Sequence, residues 1–210
     1  NAYAGAIAVG DANLLILPIR SFAGTVAFAT CPFILKQYQR DVLTSIKIPV
    51  LDKETANVVS ESVLILQNTK MALEDLDLNA KATENAKEWA EFIAKQLYPK
   101  DEVWQQEFIS RFAILPDDIF SFLAETATEI RMRVSIDRTT RKSQEGSLWS
   151  EENLPAESVL WGVMGVSKSR DQNNPKTAEE LAQLLPNSET HLQIGGKHTV
   201  GRGLCRLLIF

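Results

Sequence analysis

The chain has 210 residues, 45% of them hydrophobic, and a net charge of −5 from 22 basic and 27 acidic residues. That length and apolar content suffice for one domain with a sizeable core. The acidic balance argues against indiscriminate nucleic-acid binding over the whole surface, and no apolar run is long enough to span a bilayer, so no membrane partner is expected.

Cys31 and Cys205 are the only cysteines, and neither lies in a Cys-x-x-Cys. Neither a disulfide framework nor a structural zinc site is expected, but two buried free thiols in a reducing, cytoplasmic compartment. Asn1 opens the chain without an initiator Met or a signal pattern, which reads as a fragment of a longer product.

In chain order, AIAVGDANLLILPIR predicts a turn at Gly10-Asp11 and then a strand broken at Pro18. GTVAFAT predicts a second strand, hairpinned to the first around Ser21–Gly24. Pro32 opens a helix over FILKQYQRDVL. Residues 46–57 read as a loop, SVLILQN as an apolar strand, and the stretch to Leu78 as extended. Ala82–Leu97 repeats Ala86, Trp89, Ala90, Ile93 and Leu97 at helical spacing and stops at Tyr98-Pro99. Asp101 caps a further helix to Arg111, FAIL is a short strand, and PDDIFSFLAET is a helix with two acids at its positive end.

TEIRMRVSIDR alternates Ile130, Met132, Val134 and Ile136 with Arg131, Arg133 and Ser135, a strand with one apolar and one basic face. TTRKSQEGS reads as a polar connection and SVLWGVMGV as one strand. Ser167–Pro175 reads as a loop, KTAEELAQLL as a helix, HLQI as a strand, and LCRLLIF as a final buried strand. Strands and helices are mixed without βαβα alternation. The expected fold is α+β, with a mainly antiparallel sheet, helices on one face and the end strands as neighbours in that sheet.

Charge is uneven. Residues 130–142 carry Arg131, Arg133, Arg138, Arg141 and Lys142 against Asp137, and residues 190–210 carry no acid. Local basic stripes on an acidic chain point to a defined anion track, although a solvated sheet face gives the same pattern. Glu151 and Glu152 read either as surface charge or as one metal ligand or proton acceptor. Neighbours on a strand face opposite ways, so at most one serves. The terminal IGGKHTVGRG loop has no helix after it and so does not fit a phosphate cradle of the dinucleotide or P-loop kind. It reads as a turn between strands, with His198 either a hydrogen-bonding group or an acid–base group.

Three ordered blocks resemble the RAMP superfamily of CRISPR effector proteins, with the best match to the repeated backbone subunit of type III-B complexes. They are AGAIAVGDANLLILPIRSFAGTVAFATCP, PDDIFSFLAETATEIRMRVSIDRTTRKSQEGSLWSEENLP and LQIGGKHTVGRGLCRL. The resemblance implies a single RAMP domain over residues 1–210 lacking its first strand. It implies a ferredoxin-like (RRM-like) palm, a divergent helical insertion at about 41–112, a thumb-like hairpin at about 130–155 and a glycine loop at 195–203. It further implies copies stacked along CRISPR RNA together with other effector subunits. Arg131, Arg133, Arg138, Arg141 and Lys142 would contact RNA, as would Gly195, Gly196, Lys197, His198, Thr199, Gly201 and Arg202. The family cleaves single-stranded target RNA with a divalent metal (Mg or Mn), using an aspartate that these residues do not match. RNA binding itself would need no cofactor. Glu151 matches an acid implicated near the cleavage position, with Asn153 where the family often has Tyr. Two rivals are a metal-independent endoribonuclease using His198 or His191 on CRISPR precursor RNA, and a non-catalytic assembly subunit.

Overall fold

The computed structural model describes residues 3–171 and 173–210, with Asn68 by its backbone alone. In chain order the elements are β1 (Ile7–Val9), β2 (Asn13–Ser21), β3 (Thr25–Thr30), α1 (Pro32–Val42), β4 (Thr55–Val58), β5 (Lys70–Leu73), β6 (Leu76–Ala82), α2 (Glu84–Leu97), α3 (Glu102–Ser110), β7 (Phe112–Ile114), α4 (Asp117–Thr126), β8 (Glu129–Ile136), β9 (Ser143–Asn153), β10 (Val159–Trp161), β11 (Met164–Val166), α5 (Ala178–Ala182), β12 (Thr190–Gln193) and β13 (Leu204–Leu207). The fold is mixed α+β. It divides into two compact units, Asn13–Trp161 and Asn1–Ala12 with Gly162–Phe210.

The larger unit is built on a seven-stranded sheet of order β10-β2-β3-β7-β4-β6-β5. Most pairings are antiparallel as expected, but β3–β7 and β4–β6 are parallel. A further pair, Ser21 opposite Leu73, joins β2 to β5. β2 is continuous through Pro18, contrary to the expected break. On the flank away from β3, β10 reaches only to Ile16 and β5 begins only at Ser21, so the proline sits in a gap between partners.

The sheet has two unlike faces. Ala27 and Ala29 of β3, Ala56 of β4, Ala80 of β6 and Ala113 of β7 lie in one cluster with Leu17, Met71, Leu73 and the α4 residues Phe120 and Leu123. Phe28 of β3 and Phe112 of β7 lie in the other, with Tyr38 of α1, Trp89 and Ile93 of α2 and Phe108 of α3. The Phe28 and Phe108 rings stack at 5.0 Å. Helices were expected on one face. Instead α4 packs into the alanine cluster, while α1, α2 and α3 pack into the aromatic one. Their ends are specified locally: Thr83 accepts from Ala86 N and Asp101 from Trp104 N, and Pro32 sits at the first turn of α1.

Other differences have physical reasons. SVLILQN is not a strand. Leu64 is fully buried, but the backbone around it is satisfied by Val63 N donating to Ser110 O and Ser62 Oγ accepting from Leu64 N. The strand of that region is β4, whose Asn57 interrupts the apolar pattern. The stretch 41–112, expected as a helical insertion, supplies two helices and also β4, β5 and β6 of the sheet. SVLWGVMGV splits at Gly162 into β10 and β11, because β11 pairs with β1 in the smaller unit.

The smaller unit holds two separate two-stranded sheets, β1–β11 and β12–β13, with the short α5. The end strands are therefore not sheet neighbours. β13 is not buried, and Cys205 is half-buried where a buried thiol was expected, whereas Cys31 is buried. Burial pushes the Cys31 thiol up to about 12. Among the described residues no helix is long and apolar enough to cross a membrane.

Two outcomes follow from this packing. Trp89 is fully buried and donates Nε1 to Lys47 O at 2.9 Å. Trp89→Ala is expected to cost about 3–5 kcal/mol, read as a lower urea midpoint at unchanged slope. At the end of α1, Asp41 Oδ1 accepts from Arg40 Nε at 2.8 Å and Oδ2 from Trp161 Nε1 at 3.0 Å. The Arg40 bond first, and then that of Trp161, hold the Asp41 carboxyl below its ordinary value. A depressed folded value means stabilisation present above the unfolded value and lost as pH falls through the folded one. Asp41→Asn is expected to flatten the acid limb of the stability–pH curve, and an unchanged limb would remove this role.

Candidate nucleic-acid interface

The candidate site begins with how β8 and β9 pair. Residues directly opposite in an antiparallel ladder share a face. Arg131 stands opposite Glu151, Arg133 opposite Trp149, and Glu129 opposite Asn153. Met132 stands opposite Ser150, and Val134 opposite Leu148. The expected alternation is present, but its two faces differ from the simple reading. The apolar face is open, with Ile130 70% and Met132 62% exposed.

The arginine face is mixed rather than basic. Arg131 Nη2 donates to Glu129 Oε2 at 2.7 Å, and Arg133 Nε lies 4.0 Å from Glu151 Oε1. Glu151 itself is buried, 8% exposed, and its Oε1 accepts from Trp149 Nε1 at 2.9 Å. Glu152 faces the other way and accepts from Thr128 Oγ1. Glu151 is thus a buried counterion of the hairpin. Trp149 and Glu129, the latter passed over in the sequence reading, share this face with it. The i, i+2 spacing of Glu129 with Arg131 and of Trp149 with Glu151 was the available signal.

The hairpin tip is different. The polar stretch expected as a connection is mostly strand, and the turn is only residues 137–142. Arg138, Arg141 and Lys142 are exposed there and make no ion pair or side-chain hydrogen bond among the described residues.

The glycine loop belongs to the smaller unit, the hairpin to the larger. It connects β12 to β13, as a turn reading expects. Ile194 N donates to Gly203 O at 2.8 Å and Gln193 Nε2 to Arg202 O at 2.6 Å. Lys197 takes a left-handed φ of 62°, and His198, Thr199 and Val200 form one 3-10 turn closed by Gly201 N on His198 O. Gly203 has φ 69° and lies so close that a Cβ would overlap the Ile194 carbonyl oxygen. Around Gly195 and Gly196 the space is open, for a Cβ would meet nothing within 4 Å. The smaller unit also presents Lys168, Arg170 and Lys176, unremarked in the sequence, around an open cavity of about 520 Å³ with Asp171 and Glu179.

The RAMP superfamily profile matches residues 1–206. The chain belongs to the RAMP superfamily. It is 32% identical over 213 residues to the CRISPR system Cmr endoribonuclease Cmr4 of Pyrococcus furiosus, covering 98% of this chain and 70% of that protein. A crystal structure of oligomeric Cmr4 from Pyrococcus furiosus superposes with a TM-score of 0.65 at 26% identity, covering 96% of this chain and 71% of that one. A chain of the type III-B Cmr-beta assembly bound to cognate target RNA gives 0.67 at 17% identity, covering 97% and 70%, and shares the fold.

A divalent metal is implied by the family resemblance, so its fit to the donor set matters. Among the described residues no group of three or more His, Cys, Asp or Glu side chains gathers to hold one. Glu151 Oε1 accepts from Trp149 Nε1 and lies 4.0 Å from Arg133 Nε. Among the described residues the donor set does not fit a metal centre.

Glu151→Ala is expected to leave Trp149 Nε1 without its acceptor and Arg133 without its neighbouring carboxylate. Local opening of β8–β9 should become easier by about 1 kcal/mol, read as faster amide exchange there with no change in β2–β3.

Proposed function

We propose that this chain is the RNA-binding part of a backbone subunit of a type III-B CRISPR effector. On this reading residues 1–210 form a single RAMP domain, with a ferredoxin-like palm, the β8–β9 hairpin as its thumb, and copies of itself and other effector subunits as partners in the cytoplasm. CRISPR RNA is the ligand and single-stranded target RNA the substrate of the intact assembly. The relatives' names, endoribonuclease and target-RNA-bound assembly, support the class.

The observation that carries the reading is the tip. Arg138, Arg141 and Lys142 are three exposed cations with no acid engaged, on a chain that is otherwise net acidic. Guanidinium forks match phosphate oxygens in two-point contacts, and an ammonium adds a point charge. Arg131 and Arg133 already have carboxylate partners, so they contribute less and stiffen the strand beneath the tip. Gly195, Gly196, Thr199 and Gly201 would give a second close approach of backbone to phosphate, with Lys197, His198 and Arg202 supplying donors. Glu151 is assigned to holding Arg133 rather than to cleavage. Cutting of target RNA with divalent metal would then rest on groups other than those gathered here.

Binding of fluorescein-labelled single-stranded RNA tests this. Affinity is expected to fall steeply with salt, and replacing Arg138, Arg141 and Lys142 together by Ala should flatten the log–log slope by roughly 2, at about 0.7 per phosphate contact. Salt-independent binding, or none in the assembled effector, would overturn the reading.

A further inference from the structure

One acid sits inside the cationic tip, and its geometry is unusually dense. Asp137 Oδ1 accepts from Thr139 N at 2.9 Å, from Thr140 N at 2.7 Å and from Thr140 Oγ1 at 3.0 Å. Its backbone N donates to Lys142 O at 2.9 Å, and its backbone O accepts from Arg141 N at 2.9 Å. One residue therefore ties down four of the five that follow it, including two of the three tip cations. Arg141 is held at a left-handed φ of 59°, a conformation that residues with a Cβ rarely adopt unless their surroundings impose it.

Electrostatics alone would not put a carboxylate there. A negative charge one residue from Arg138 opposes an approaching phosphate and partly screens the cations beside it. We infer that Asp137 is a positioning residue for RNA binding: its carboxylate fixes the turn that sets Arg138, Arg141 and Lys142 in register for successive phosphates. The inference rests on the RNA-binding reading above and deepens it. It assigns the acid no contact with RNA. Its part is to restrict the conformations of three long side chains' backbone, so that less freedom is lost when they engage. The carboxyl is held below the ordinary aspartate value, chiefly by the Thr140 amide, which agrees with a charge stabilised by the turn.

The two roles open to this acid differ in sign. If Asp137 acted only as a nearby negative charge, removing it would tighten RNA binding. As a positioning group, its loss weakens binding although a repulsive charge has gone. The experiment measures anisotropy of labelled single-stranded RNA with the full 210-residue chain and its Asp137→Ala and Asp137→Asn variants across a salt series. The expected result is binding about tenfold weaker for Asp137→Ala, equivalent to one charge-assisted contact, with a salt slope flatter by roughly 0.7. Asp137→Asn keeps an acceptor oxygen for the two amides and recovers most of that loss.

Tighter or unchanged binding by Asp137→Ala overturns the inference. So does equal weakening by both variants. Should Asp137→Ala lose the hairpin's amide-exchange protection, Thr140→Val, which deletes only the Oγ1 bond, must still weaken binding measurably. No effect there overturns it too. Weakening by the Arg138, Arg141 and Lys142 triple replacement alongside an unaffected Asp137→Ala would refute the inference alone. A triple replacement without effect would refute the underlying RNA reading.

Discussion

The two-faced sheet is the constraint on which the rest of the larger unit depends. β3 and β7 at its centre present alanines to one side and phenylalanines to the other. In β3 the order is Ala27, Phe28, Ala29, and the parallel register sets Phe28 beside Phe112 and Ala29 beside Ala113. Small side chains on one face let Leu64 and the α4 residues Phe120 and Leu123 approach the backbone closely. On the other face, Phe28, Phe108, Phe112 and Trp89 fill the volume beneath α2 and α3. A strand slipped by one residue would put phenylalanines where only alanines fit, so packing enforces the register as well as stabilising it.

That rigid support ends at α4, and β8–β9 begins three residues after it. The hairpin buries little on its apolar face, so its order comes from the ladder and from the ions on its other face. Glu129 and Glu151 reduce the repulsion that Arg131 and Arg133 would exert on each other two residues apart along one strand. Arg131 is exposed and Glu129 half-buried, so that pair adds little stability. Glu151 is buried, and removing it would leave its donors poorly matched. Charge is thus neutralised along the strands, while at the tip three cations face the single acid Asp137.

Periodicity made much of this legible. Pro32 and Asp101 announced two helix starts, and the alternation from Ile130 to Ile136 announced β8. Burial was the part that alternation could not carry, since the apolar face of Ile130 and Met132 is largely exposed. SVLILQN failed for a related reason. Leu64 is buried as a strand residue would be, but Ser62 and Ser110 satisfy the backbone in place of a ladder. The arginines of β8 were visible, whereas their neutralisation depends on Glu151 across the ladder, twenty residues from Arg131. Cross-strand register is a tertiary fact, and no local pattern states it. The terminal glycines were legible as a turn because the requirement is local: at Gly203 the chain passes the Ile194 carbonyl with no room for a side chain.

An acidic chain that presents cations at a few points is a selective device when screening is considered. At physiological salt the Debye length is about 8 Å, so acids of α2 or α3 farther away than that are largely invisible to a polyanion at the hairpin tip. What the polyanion meets there is the local charge, and how that charge is spaced. Three cations on free side chains would attract any anion weakly. The same three on a turn bound at Thr139, Thr140, Arg141 and Lys142 favour a ligand whose charges repeat at a matching interval. The net charge of −5 then works with the tip, because it discourages loose polyanion binding elsewhere on the surface and leaves geometry to choose the ligand.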